Sequence, residues 1–150
     1  MKPLLLLLIV FVLALLIMKV AAAAVDIAFA ARIAMAAMLL FTALGHFLFT
    51  KGMSMMLPPG IPYRTAIIYL TGVFEITAAL GLLVPAVRMP VGVALIVFFI
   101  LLLPANIYAA ALHLDYEKGT YTGKGLGYLW FRVPMQLLFI AWVYLSAVRF

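Results

Sequence analysis

Residues 65–87 read TAIIYLTGVFEITAALGLLVPAV, an apolar stretch that carries a single charged side chain, Glu75. A helix needs about 20 mostly apolar residues to cross about 30 Å of hydrocarbon, and this stretch is long enough. Glu75 stands about ten residues in, which at about 1.5 Å per residue places its carboxylate roughly 15 Å deep, near the middle of a bilayer. An ionised carboxylate there costs about 2.5–3.5 kcal/mol on insertion scales unless it is paired, protonated or wetted by a cavity. The rest of the chain says which solvent to expect. Of its 150 residues, 70% are hydrophobic and 9% charged, with a mean hydropathy of +1.34. Soluble chains run about 45–50% apolar and about 25% charged, and a domain this small has too much surface to hide the difference. The expected fold is therefore an all-α integral membrane helix bundle in a lipid bilayer, a single domain without internal repeats.

Working outward, the charged residues divide the chain into five expected transmembrane helices, at about 3–25, 31–50, 65–86, 89–113 and 129–148. Between the second and third, MSMMLPPGIPY (53–63) holds three prolines and a glycine, which forbid a continuous helix and predict a turn or shallow re-entrant loop. Pro85 and Pro90 bracket Arg88 and predict a tight connection. The segment 115–127 has two of the four acids, two lysines and four glycines, and belongs in water. Ala30 and Ala34 have the small-xxx-small spacing that lets helix backbones approach. The first span competes with a cleaved signal peptide, Lys2 followed by an apolar run and Ala21–Ala24. Lys19, standing between the run and the alanines, and the length of the run favour a retained helix.

The formal charge of +6 assigns basic loops to lipid headgroups rather than to nucleic acid. With the N-terminus inside, Lys2, Lys51, Arg64, Lys118 and Lys124 are cytoplasmic, against Lys19, Arg32, Arg88 and Arg149 outside, a slight preference for N-in and C-out. The absence of cysteine excludes thiolate catalysis, disulfide exchange and iron–sulfur clusters within this chain.

Glu75 needs a partner, and topology supplies candidates. In a five-span chain the second helix ends, the third begins, the fourth ends and the fifth begins on one side of the membrane. His46, Asn106, Arg132 and Gln136 then share one half of the bilayer, with Glu75 a little deeper. Arg132 and Gln136 are four apart on one helix face, as are Thr71 and Glu75. The expectation is one buried cluster of Glu75, Arg132, His46, Asn106 and Gln136 that closes the bundle and offers a ligand site. Tyr69, Tyr108, Tyr128 and Trp130 lie near the same level, as interfacial belt or cavity wall. Each polar residue also has a purely structural use. Glu75 can pin two helices, His46 can be a hydrogen-bonding packing residue, Asn106 can satisfy the carbonyl freed by Pro104, and Arg132 can snorkel.

Other patterns carry less. His46 and His113 have no spacing that supports a haem. GTYTGKGLG (119–127) lacks the register and the Ser/Thr of a phosphate loop and reads as a flexible connection. Met53, Met55 and Met56 read as apolar filler rather than soft-metal ligands, so no metal site is expected.

At these residues the chain resembles the DoxX-like family of small bacterial membrane proteins. The blocks LLFTALGHFLFTKGMSMMLPPGIPY, YLTGVFEITAALGLLVP, LLLPANIYAAALH and YLWFRVPMQLLFIAWVY follow one another as in that family, over residues 38–144. The resemblance implies a four-helix core plus one extra N-terminal helix, with His46, Glu75, Asn106, Arg132 and Gln136 at the family's polar membrane positions, in a bacterial inner membrane. Most members have no established activity. The family is similar to the small membrane subunit of an archaeal thiosulfate:quinone oxidoreductase and to a protein needed for methylamine dehydrogenase maturation. Three functions follow as expectations. The first is a non-catalytic module acting as subunit, assembly factor or binder of a lipophilic ligand, with no cofactor evident and a redox enzyme or a second copy as partner. The second is a quinone-linked subunit, in which His46, Arg132 and Glu75 face a quinone and electrons come from a partner. The third is a proton-coupled transporter with Glu75 as carrier.

Overall fold

A computed structural model describes residues 1–21 and 24–150. Part of the Ala21–Ala24 segment, the candidate cleavage site at the end of the first expected span, thus lies outside the described residues. The elements are α1 (Lys2–Ala21), α2 (Ile27–Leu48), the short α3 (Thr50–Ser54), α4 (Arg64–Leu83), α5 (Arg88–Ala111) and α6 (Leu129–Val143), the last continued by a π-helical turn, Tyr144–Arg149. Among the described residues five helices are long and apolar enough to cross a membrane. The chain is an all-α bundle.

α2 is the central helix. Its small residues Ala30, Ala34 and Ala43 are buried, so α1 and α4 pack closely on either side of it. It starts four residues before the expected 31 because Asp26 caps it, accepting a hydrogen bond from the Phe29 amide at 2.8 Å. Arg32, expected at the membrane surface, is consequently inside the helix and 8% exposed. Its guanidinium donates to the Ser146 carbonyl at 2.7 Å and lies 5.6 Å from the centre of the Phe29 ring. That carbonyl is free because, in the π-helical turn, the Phe150 amide bonds to Leu145 instead.

α1 is peripheral. Leu7 and Ala14 are buried against the bundle, while Leu5, Ile9, Leu13 and Leu16 are exposed, as lipid-facing side chains should be. Phe11 meets Trp142 edge to face at 5.0 Å, and the Trp142 indole donates to the Ala31 carbonyl at 3.0 Å, so three helices are tied at one level. Met35, Leu39, Leu82, Leu95, Phe99 and Phe139 belong to the common core.

The region between α2 and α4 is a turn as expected, with α3 formed ahead of its prolines. Segment 112–128, which contains the polar stretch 115–127 expected in water, is largely exposed and folds back over the helix ends. Asp115 and Thr120 form an isolated antiparallel bridge, and the Gly123 amide donates to the His113 carbonyl. Lys2, at the start of α1, holds Glu117 of this segment at 3.1 Å.

Candidate functional site

Two polar assemblies lie at different places in the bundle, and each begins with a close backbone approach. α2 and α4 come together at Gly72, where a Cβ would fall 2.9 Å from the His46 Cβ and 3.1 Å from the Phe47 ring. The absence of a side chain there lets the polar groups of the two helices meet. His46 and Glu75 are both buried. The His46 Nε2 lies 3.4 Å from Glu75 Oε1, and the Thr42 hydroxyl is 2.8 Å from Glu75 Oε2, placed to donate. Across the ring, Nδ1 lies 2.9 Å from the Thr71 hydroxyl and 3.2 Å from the Ile68 carbonyl, and that hydroxyl itself donates to Ile68 at 2.8 Å.

This geometry assigns protons. A ring nitrogen facing a carbonyl oxygen carries hydrogen, since two acceptors would repel, so Nδ1 is the donor on that side. Nε2 then faces Glu75 Oε1 across 3.4 Å. With the Thr42 hydroxyl on the other oxygen, the carboxyl has two polar neighbours, which lowers the cost of keeping Glu75 inside the bundle. Thr42, a neutral residue in the middle of an apolar span, carries no sequence signal of this role.

Thr71 also lines an apolar groove of about 320 Å³ between α4 and α5, with Ile67, Leu70, Phe74, Val97 and Phe98. The groove is open to the outside of the bundle.

The expected single cluster is divided. Glu75 is partnered by His46 and Thr42, and no ion pair to Arg132 occurs among the described residues. The reason is packing order: α4 lies against α2, α3 and α5, whereas α6 lies chiefly against α5, which separates the guanidinium from the acid. Gln136 is buried and donates to the Phe99 carbonyl of α5 at 2.9 Å. Phe99 is next to Ile100, whose carbonyl Pro104 leaves without an amide donor, so Gln136 ties α6 to α5 beside that gap without filling it. Asn106, whose alternative structural use was to satisfy the carbonyl freed by Pro104, leaves its carboxamide nitrogen without a partner.

Asn106 and Arg132 belong to the second assembly. Gly52 of α3 lies so close under the 112–128 segment that a Cβ would stand 1.8 Å from the Tyr116 carbonyl oxygen. Beneath the segment is a cavity of about 290 Å³, lined by Asn106, Arg132, Lys124, Tyr116, Tyr128 and Leu114 among others. Asn106 is 7% exposed, and its carboxamide nitrogen is buried without a hydrogen-bond partner. The Arg132 guanidinium, half-buried at the start of α6, makes neither a hydrogen bond nor an ion pair among the described residues. Lys124 stands 5.8 Å from the centre of the Tyr128 ring. Burial pushes the Tyr116 hydroxyl above the usual phenol range, against the opposite pull of Arg132, so it remains a donor. Two acids also line the cavity: Glu117 pairs with Lys2, itself a lining residue, and Asp115 accepts from the backbone amides of Glu117 and Lys118 and lies 3.8 Å from the Lys118 ammonium. Tyr116 and Lys124 were not legible as site residues, because only the fold-back of a polar loop brings them to Asn106.

A family model described as a domain of unknown function, DUF8561, matches residues 35–147, from within α2 to the final turn and without α1. No curated protein and no solved structure matches the chain. Over three quarters of its length, then, the chain belongs to the DUF8561 family.

Proposed function

We propose that the protein is a non-catalytic integral membrane module of DoxX-like type, resident in a bacterial inner membrane, that holds an amphiphilic ligand by its polar head. The observation that carries this reading is the buried, unpartnered Asn106 carboxamide beside the free guanidinium of Arg132 in one cavity. A buried donor without an acceptor costs about 1–3 kcal/mol, so an acceptor entering the cavity recovers that loss. The His46–Glu75 network supports the reading from the other side. Its hydrogen-bonding positions are taken by Thr42, Thr71 and Ile68, as befits a pin between helices. In such a module the complementary partner is a redox enzyme or a second copy, with the cavity's occupant as cargo or as glue.

The test is extraction of the protein purified in mild detergent, followed by mass spectrometry of what leaves with it. A stoichiometric amphiphile is expected. Arg132→Leu should lose it while changing stability by no more than about 0.5 kcal/mol, as for a side chain with no structural partner. A large loss of stability would show that Arg132 works inside the bundle and would refute the assignment.

A second reading, a quinone-linked redox subunit, draws on Thr71, which stands in the wall of the apolar groove and contacts His46. A lipid-soluble carbonyl compound in that groove would meet a hydroxyl that touches the His46 imidazole. Stoichiometric quinone in the extract, depleted by Thr71→Val, is the result this reading requires; a quinone-free extract excludes it.

A further inference from the structure

The groups around the cavity define what its ligand must offer. Arg132 supplies a planar fork of N–H donors, Asn106 a carboxamide, Lys124 an ammonium, and Tyr116 and Tyr128 two hydroxyls. Asp115 and Glu117 also line the cavity, but Glu117 is paired with Lys2, and neither acid forms an ion pair with Arg132 or Lys124 among the described residues. A neutral carbonyl compound would therefore leave both of these cations without a counter-charge. A carboxylate has two coplanar oxygens, matched by the guanidinium alone. Donors that converge from α5, α6 and the overlying loop call for a charged acceptor with oxygens in several directions. Phosphate has that shape. Depth points the same way. Asn106 lies five residues before the end of α5, about 8 Å below it, and the headgroup region of one leaflet is about 5–8 Å thick. A cavity of about 290 Å³ takes a phosphate with its neighbouring glycerol oxygens but not the tails of a lipid, which stay in the membrane.

Resting on the amphiphile reading above, we propose that this cavity is a receptor for the phosphate of a membrane phospholipid, gripped by Arg132 and Asn106 beneath the Tyr116 loop. Arg132 provides the charge-assisted pair. Asn106 donates to a further oxygen and so relieves its own burial. Lys124 closes the site from the loop side.

The experiment uses the full chain in detergent micelles and native mass spectrometry. The probes are dioleoyl phosphatidylglycerol, dioleoylglycerol with the same tails but no phosphate, and inorganic phosphate as competitor. The expected result is one retained phosphatidylglycerol per chain, retention of dioleoylglycerol at least tenfold weaker, and no displacement by millimolar inorganic phosphate. Arg132→Leu should weaken phosphatidylglycerol at least tenfold and Asn106→Leu several-fold. Arg132→Lys, which keeps charge and loses the fork, should fall between Arg132→Leu and the unaltered chain and guards against a folding defect. Lys51→Ala, a cation on the same membrane side but outside the cavity, should change nothing. Equal retention of the two lipids, sensitive to Asn106→Leu, would overturn the phosphate assignment and leave the amphiphile reading standing. Equal losses in the Lys51 and Arg132 variants would overturn it as mere surface attraction. Displacement by inorganic phosphate would overturn the lipid source, and retention of no lipid at all would overturn both readings.

Discussion

Glu75→Ala is expected to destabilise the bundle by about 2–3 kcal/mol in detergent, whereas Glu75→Gln should cost under about 1 kcal/mol. Alanine leaves His46 Nε2 and the Thr42 hydroxyl facing a void between α2 and α4, where His46 is buried and Thr42 half-buried. Removing one member of a buried pair costs about 3–5 kcal/mol in soluble cores, but hydrogen bonds between membrane helices average about 0.6 kcal/mol, so an intermediate value is expected for a two-contact network. Glutamine retains an acceptor for Thr42 and a polar neighbour for the imidazole, and it removes the ionisable carboxyl. Thermal unfolding of the purified variants separates the cases. Equal damage by Ala and Gln would mean that the charge or the proton, rather than the hydrogen bonding, holds the helices together. A transporter that uses Glu75 as carrier predicts a different pattern: Gln folded and stable but inactive in proton uptake.

Gly52→Ala is the second large effect. The added methyl would stand 1.8 Å from a backbone oxygen of Tyr116, a contact no rotamer change can relieve. Either α3 or the 112–128 segment must move, at a cost of about 1–3 kcal/mol for overpacking of this kind. The displaced segment carries Tyr116 and Lys124, so the cavity should open and ligand retention should fall with stability. Gly60→Ala is the matched control, since a Cβ there meets nothing within 4 Å. If Gly52→Ala behaves like Gly60→Ala, the loop does not rest on α3 and the cavity is not a formed site.

The architecture was legible because burying a backbone in hydrocarbon demands long apolar helices, and the hydropathy of this chain announces all five. Its boundaries were less so. Arg32 looked like a membrane-surface residue until a cap at Asp26 drew it into α2, and the final helix loosens into a π turn that frees the Ser146 carbonyl for that arginine. The candidate site was legible in residue type but not in grouping. Glu75, His46, Asn106, Arg132 and Gln136 were singled out because polar groups at membrane depth are costly, and each does occupy a polar contact or a cavity wall. Which of them meet depends on the order in which helices pack, and hydropathy holds no information on that order. Topology placed Arg132 and Glu75 in the same half of the bilayer; the interposed α5 keeps them apart. Thr42 and Tyr116 were invisible for a simpler reason, since a threonine inside a helix and a tyrosine in a loop are ordinary in any context.

The bridge from Lys2 to Glu117 joins segments that leave the ribosome far apart in time. At about 5–20 residues per second, the start of α1 waits many seconds in the membrane for the 112–128 segment and the first turn of α6. Asn106 is made late in that interval and stands without a roof only for about its last 1–5 s, until the 112–128 segment and Arg132 follow. The cavity is therefore complete only at the end of biogenesis, and nascent chains halted before Arg132 should fail to retain the phospholipid proposed for it.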